Sequence, residues 1–177
     1  LDGGAGADIL DGGDGLDRVF YARSSAGVVV NLILGTGQGG DAEGDQFISI
    51  ERVSGSGFDD LLVGDSAANM LWGGMGDDTL TGFTGNDVLI GGAGADVFVF
   101  ELGNGRDRIA DLEAVDTVVL DGFLGQSDAP QDWADLAAQA VQGTRGIEFV
   151  INGADRLILD GTDLADLAIF EDQFVFM

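Results

Sequence analysis

Residues Gly73–Val99 read GGMGDDTLT, GFTGNDVLI and GGAGADVFV, three consecutive units of nine residues. Each fits G-G-x-G-x-D-x-U-x, where U is a large apolar residue. The phase runs backwards through Gly64–Trp72 (GDSAANMLW) and Gly55–Val63 (GSGFDDLLV), and an in-phase pair opens the chain as GGAGADILD from Gly3 and GGDGLDRVF from Gly12. Position six carries Asp8, Asp17, Asp60, Asn69, Asp78, Asp87 and Asp96; position eight carries Leu10, Val19, Leu62, Leu71, Leu80, Leu89 and Phe98. A period this strict marks a stacked repeat fold, in which each unit buries its apolar residue only against its neighbours.

Physical chemistry gives the unit its shape. Glycines permit positive φ without a Cβ clash, so a six-residue loop can turn its carbonyls toward one point. The remaining x-U-x is a minimal strand, and alternation sends U to the interior. Two units make one turn of eighteen residues, with loops on both edges and two short sheets facing each other. The expected fold is mainly β: a right-handed parallel β-roll with a C-terminal mixed β/α cap. Acids of one edge then recur every eighteen residues: Asp60, Asp78 and Asp96 on one, Asn69, Asp87 and, slightly displaced in register, Asp107 on the other. Turns stack about 4.8 Å apart, and two carboxylates at that separation repel by roughly 3 kcal/mol at an effective dielectric near 20. Such ladders require cations. Oxygen donors without nitrogen or sulfur define a hard-cation site, and flexible multi-oxygen loops favour Ca²⁺ over Mg²⁺. Asn69 lies in the most degenerate unit, where the weakest site is expected.

Composition agrees. The 177 residues hold 32 Asp and Glu against 7 basic residues, all Arg, for a net charge of −25, which makes nucleic acid a poor partner. Yet 45% of the chain is hydrophobic, too much for a purely solvating polyanion. Without Cys there are no disulfides or thiolate sites. Without His there is no histidine-ligated zinc and no Ser-His-Asp or Cys-His triad. No apolar run reaches eighteen residues, so no membrane span is expected, and residues 1–20 lack the pattern of a secretory signal. The chain opens at Leu1 inside a repeat, which reads as the C-terminal piece of a longer protein.

Two regions depart from the period. Tyr21–Ser54 reads as an irregular turn pair of the same solenoid with an enlarged loop: a β-rich run at Gly27–Leu34, a glycine loop at Gly35–Gly44 and one strand over Phe47–Val53. Asp41, Glu43 and Asp45 in or beside that loop are candidate ligands for a further cation, and Glu51 stands at position six. After Phe100 the D-x-U signature persists at Asp107/Ile109 and Asp116/Val118 with fewer glycines. Ser127–Val141 has a helical pattern, with Ser127 or Asp128 as N-cap and Pro130 in the first turn. Strand-like runs follow at Ile147–Ile151, Leu157–Leu159 and Phe174–Phe176. The expected division is a roll over 1–122 (repeats 3–20 and 55–99, insert 21–54) and a capping and secretion-signal region over 123–177.

These repeats resemble the RTX, or haemolysin-type calcium-binding, family of parallel β-rolls found near the C-terminus of bacterial proteins exported by type I secretion. The segment SSAGVVVNL…GGDAEGDQFISIERVSGSGFDDLLVGDSAANMLWGG is similar to regions of serralysin-type proteases and alginate epimerases, and GADRLILDGTDLADLAIFEDQFVF is similar to tails that carry an uncleaved export signal. The resemblance implies several bound Ca²⁺ ions, held by position-six carboxylates and by loop carbonyls at Gly73, Met75, Asp77, Gly91, Gly92 and Gly94. It also implies secretion to the extracellular space and a role as the folding and export module of a larger protein, with the type I machinery as partner. Phe83 and Ser56, at second-glycine positions, depart from the motif. A second reading is a calcium-stabilised polysaccharide-binding or adhesive module, with a polysaccharide or a second copy of the chain as partner. In that reading an extended basic or aromatic face would be needed; Arg106 and Arg108 read more simply as charge balance beside Asp107, and Trp72 and Trp133 as packing. A third reading, an enzyme within this chain, finds acids in abundance but no pair that stands apart.

Overall fold

The computed structural model describes residues 1–127, 129–151 and 155–177. The first repeat pair forms β1 (Ile9–Asp11) and β2 (Arg18–Phe20). The insert forms β3 (Val29–Asn31), β4 (Thr36–Gln38), β5 (Gln46–Ile48) and β6 (Arg52–Ser54). The regular stretch gives β7 (Leu61–Val63), β8 (Met70–Met75), β9 (Thr79–Thr81), β10 (Val88–Ala93) and β11 (Val97–Glu101), followed by β12 (Arg106–Ile109) and β13 (Thr117–Asp121). The C-terminal third contributes α1 (Trp133–Ala137), β14 (Ala140–Gln142), β15 (Gly146–Val150), β16 (Arg156–Asp160), a 3₁₀ run over Leu164–Gln173 and β17 (Phe174–Phe176).

Among the described residues these strands make two sheets. One, of nine strands, runs β1-β5-β4-β3-β7-β9-β11-β13-β17; the other, of eight, runs β14-β15-β16-β12-β10-β8-β6-β2. Successive units alternate between them, and pairing along the repeats is parallel, with Leu62 beside Leu80, Leu80 beside Phe98, and Leu71 beside Leu89. The molecule is a parallel β-roll. Leu62, Leu71, Leu80, Leu89 and Phe98 are all buried between the sheets, joined by Val19, Val53, Ile109 and Val118. Each of these interior side chains stabilises the roll by about 25 cal/mol per Å² of apolar surface removed from water.

The period stretches once. Spacing between stacked partners is eighteen residues from Thr79 to Val97 but twenty from Val97 to Thr117 and from Val88 to Arg108. The two extra residues lie between Val97 and Asp107, where β11 continues to Glu101 and adds a second interior residue, Phe100, against Phe123. The displaced register expected for Asp107 has this origin.

The insert differs from the expected turn pair. β3 pairs parallel with β7 and β5 with β1, while β4 lies antiparallel between β3 and β5. The enlarged loop is therefore a wedge of two extra strands in the nine-stranded sheet, whose turn is fixed by Asn31 Oδ1 accepting the Leu34 N–H and by Gly35 at φ 63°. Nor is Phe47–Val53 one strand: β5 and β6 belong to opposite sheets, and the chain turns the corner through Ser49 at φ 53°.

At the far end β14 and β15 continue the eight-stranded sheet as an antiparallel meander, and β17 joins β13. Trp133, Phe149 and Phe174 pack as one aromatic cluster with ring centroids 5.1–6.2 Å apart, the packing role expected of Trp133. The helix is shorter and later than its sequence pattern. Asp132, not Ser127, caps it by accepting the Asp135 N–H at 2.9 Å, Pro130 precedes the cap, and Ala140 and Val141 are drawn into β14 by pairing with β15. The alternative cap, Asp128, lies outside the described residues. No helix among the described residues is long and apolar enough to cross a membrane.

Candidate metal centre

Position-six side chains form two buried ladders, one at each edge of the roll. On the first, Asp60 Oδ1 accepts the N–H of Val28, Asp78 Oδ1 that of Asp60, Asp96 Oδ1 that of Asp78, and Asp116 Oδ1 that of Asp96, at 2.7–3.0 Å. On the second, Asp87 Oδ1 accepts the N–H of Asn69 and Asp107 Oδ1 that of Asp87. One oxygen of each rung thus ties down the turn below it. A short polar side chain at the end of the glycine loop is what the geometry needs: long enough to reach one turn, too short to reach further.

The second oxygen is the informative one. Asp78 Oδ2, Asp87 Oδ2 and Asp96 Oδ2 are buried, and among the described residues none has a hydrogen-bond partner. An orphaned carboxylate oxygen in a native interior calls for a missing partner. What surrounds it is oxygen and bare Cα. A Cβ built on Gly73 would stand 2.1 Å from Asp78 Oδ2 and 2.7 Å from the Gly91 carbonyl oxygen. One turn below, a Cβ on Gly55 would meet Asp60 Oδ2 at 2.2 Å and the Gly73 carbonyl at 2.5 Å; on the other edge a Cβ on Gly64 would meet Asn69 Oδ1 and the Gly82 carbonyl, both at 2.5 Å. Side-chain oxygen of one turn and first-glycine carbonyl of the next thus face a common gap that only glycine leaves open. Among the described residues no three carboxylates converge as a ready metal cluster, so a cation here would depend on backbone carbonyls as much as on acids. The donor set fits a hard, oxygen-seeking ion.

Electrostatics point the same way. Burial, helped by the neighbouring Asp60 and Asp96 carboxylates, pushes the Asp78 carboxyl up to about 7. Burial likewise raises Asp60 and Asp96. In the hydrogen-bonded pair Asp87 and Asp107, burial raises both. Groups held this way take up either a proton or a cation.

The remaining sequence-derived residues fall into place around these ladders. Asp8 and Asp17 sit half-buried at the N-terminal end, where their N–H groups donate to Asp45 Oδ1 and to Glu51 Oε2. Asp45 is therefore a rung, not a residue of the acidic loop: it is buried, and Tyr21 holds its other oxygen at 2.6 Å. Asn69 Oδ1 accepts the Asp65 N–H, leaving its amide nitrogen without a partner. Asp77 lies on an exposed outer column, where its Oδ1 takes the Ala95 N–H and its own N–H reaches Asp59. Met75 projects outward, while Gly92 and Gly94, at φ 103° and 147°, pass so close to the turn below that a Cβ would stand 2.2 Å and 1.9 Å from the Gly74 and Gly76 carbonyls. Phe83 adopts φ 63° in the place of a glycine, a measure of how strongly the stacked loops dictate backbone shape.

Other residues join that the motif alone did not single out. Asp116 ends the first ladder with its second oxygen accepting the Glu113 N–H, and the Ser56 N–H fills the same role on Asp60 Oδ2, while the Ser56 hydroxyl donates to Asp60 Oδ1. Asp111 receives the Gly91 and Gly92 N–H groups, and Asp155 those of Gly103 and Gly105. The D-x-U spacing carried a signal for Asp116; Asp111 and Asp155 act across twenty and about fifty residues, with no local pattern to mark them.

Two expectations change on the outer faces. Trp72 does not pack in the interior but stands 46% exposed on the eight-stranded sheet. Arg106 and Arg108 do not balance Asp107, which points inward; Arg108 pairs with Asp160 at 2.6 Å and Arg106 with Glu148, which also holds Arg156.

Known proteins sharpen the picture. The sequence profile described as RTX calcium-binding nonapeptide repeat (4 copies) matches residues 1–23, 54–82 and 76–109. Comparison with curated protein sequences finds no match. Among solved structures, the extracellular lipase LipA from Serratia marcescens is similar over 97% of this chain, at 20% identity and a TM-score of 0.45. The chain spans about a third of that lipase (34%).

Proposed function

We propose, from the match of residues 1–23 and 54–109 to the RTX calcium-binding nonapeptide repeat, that this chain is a calcium-triggered folding module of a larger secreted protein. The observation that supports the reading is the set of orphaned, buried oxygens on Asp78, Asp87 and Asp96. Those residues would hold Ca²⁺ together with first-glycine carbonyls such as those of Gly73 and Gly91. Asp60 and Asp107 stand as the neighbouring rungs, and Asn69 supplies a weaker, uncharged one. The bound ion supplies positive charge between like-charged rungs. The chain supplies the rest: glycines that open the gap, Oδ1 atoms that pin each turn to the next, and the leucine column that excludes water.

The energetics suit a switch between compartments. Extracellular calcium modules bind at on the order of 10⁻⁴–10⁻³ M. With free calcium tenfold above Kd, each site adds about 1.4 kcal/mol to folding. At the low calcium of a cytosol, the −25 charge of the chain opposes collapse and keeps it fit for export. Outside the cell the ladders fill and the roll folds. The tail with β16, the 3₁₀ run and β17 is the proposed contact with type I secretion machinery, and the chain itself performs no catalysis.

Far-UV circular dichroism of the chelated chain, titrated with Ca²⁺ and separately with Mg²⁺, tests this. The expected result is a cooperative gain of β signal near millimolar calcium only. A chelated chain already fully folded would sink the switch.

A further inference from the structure

One rung of the ladders is closed by the chain itself. Among the described residues Asp78, Asp87 and Asp96 each keep a buried oxygen without a partner. Asp45 is as deeply buried, at 1% exposure, yet both of its oxygens are taken. Oδ1 accepts the Asp8 N–H at 2.9 Å, the same use of Oδ1 that pins turn to turn along the regular rungs. Oδ2 accepts the Tyr21 hydroxyl at 2.6 Å, within the range of a charge-assisted O–H···O⁻ bond.

Tyr21 reaches that oxygen from the opposite sheet. It follows β2, its N–H donates to the Ser54 carbonyl at 2.9 Å, and alternation past Val19 and Phe20 turns it inward. Its ring meets Phe47 of β5 edge-on, with centroids 6.5 Å apart, and is 3% exposed. In the sequence Tyr21 stands at a first-glycine place, nine residues after Gly12 and eighteen after Gly3. The regular units need glycine there, since a Cβ on Gly73 or Gly91 would stand 2.1 or 2.2 Å from the Oδ2 of Asp78 or Asp96. Here the place holds a long side chain instead, and its hydroxyl ends on the second oxygen of a rung. Burial and the hydrogen bond to Asp45 raise the Tyr21 phenol above its ordinary range, which keeps the donated proton in place.

The surroundings of Asp45 ask for less charge than those of Asp78. On one side its neighbour is Asp8. On the other the ladder is broken, because the equivalent place before β3 holds Val28, whose N–H goes to Asp60. Glu43, in the adjoining loop, turns to the Gly39 N–H. We propose that the Tyr21 hydroxyl takes the place of a cation at Asp45, so that this rung binds no calcium and the insert is pinned there without an ion of its own. This rests on the calcium reading of the other rungs, where the ion that Tyr21 replaces would sit.

The test joins calcium counting by equilibrium dialysis to urea unfolding in saturating calcium, on the wild-type chain, Tyr21→Phe, Asp45→Asn and the double variant. Asp45→Asn should bind as many ions as the wild type. Tyr21→Phe leaves a buried carboxylate oxygen bare, and should shift the unfolding equilibrium about tenfold or more toward the unfolded chain. On the Asp45→Asn background no charge waits for the hydroxyl, and the same change should shift it by less than about threefold. A phenol that merely fills space would give equal shifts in both backgrounds, and that result overturns the proposal. So does the loss of an ion in Asp45→Asn, a count that still decides if Tyr21→Phe does not fold. A wild-type chain that binds no calcium at all is a different failure, which sinks the calcium reading and this inference with it.

Discussion

The regular roll over residues 55–109 and the C-terminal third are built on opposite solutions to the same problem. In the roll each nine-residue unit contributes one interior apolar residue, with Phe100 added in β11, the loops are glycine, and among the described residues the buried acids of the middle rungs keep an oxygen without a partner. In the C-terminal third the interior is aromatic, centred on Trp133, Phe149 and Phe174, and Glu148 and Asp160 meet arginines. One region leaves its acids without a cation; the other gives its acids arginine partners, Asp160 through Oδ2 while its Oδ1 stays open among the described residues. On the proposed function, this contrast joins a calcium-dependent roll to a terminus that carries its own core.

The strongest test of that contrast removes charge without removing shape. Replacing Asp78, Asp87 and Asp96 together by Asn retains the Oδ1 acceptor that pins each turn but loses the carboxylate. The calcium midpoint by circular dichroism should rise by at least about tenfold, whereas an unchanged midpoint would place the ions elsewhere. On the other side, Phe149→Ala should cost about 3–5 kcal/mol in denaturant unfolding of the calcium-loaded chain, through the cavity it opens, with little change in the calcium midpoint. A large midpoint shift there would dissolve the distinction between the regions.

Smaller effects follow. Gly94→Ala forces a Cβ against the Gly76 carbonyl at φ 147°, and the strain should cost about 1–3 kcal/mol, read as a lower melting temperature in calcium. Acid should partly replace calcium. Burial raises the Asp78 carboxyl from 3.8 to about 7, so the folded state binds more protons than the unfolded one, and stability falls as pH rises across that window. In chelator, the chain should therefore show more β signal at pH 5 than at pH 7.5; equal spectra would contradict the burial of these groups. Smallest of all should be Asp60→Asn. The Ser56 N–H already occupies the Asp60 second oxygen, so its calcium shift should be less than that of Asp78→Asn alone.

Sequence reading succeeded where structure is local and failed where it is not. The column Leu62, Leu71, Leu80, Leu89, Phe98 and the ladder order Asp60–Asp78–Asp96 followed from a nine-residue period, because every contact there is a copy of the one before. The antiparallel wedge β3–β4 did not follow, since nothing in Gly35–Gly44 distinguishes a solvated loop from a strand that finds an edge to join. Trp72 illustrates a different blind spot. Position nine of a unit is outward by alternation, yet an aromatic residue in an apolar stretch reads as core until its neighbours across the sheet, Ser54 and Ile90, are known. Asp111 and Asp155 were invisible for the plainest reason: their partners are glycine N–H groups far away in the chain.

Hydrogen–deuterium exchange of the whole chain, in calcium and in chelator, bears most directly on the central claim. The amides of Asp60, Asn69, Asp78, Asp87 and Asp96 each donate to a carboxylate of the next turn. The account predicts that peptides spanning them are protected in millimolar calcium and exchange fully within seconds once calcium is removed. Equal protection in both conditions would mean that the roll stands without its ions, and that the open oxygens of Asp78, Asp87 and Asp96 are not what holds the fold in suspense.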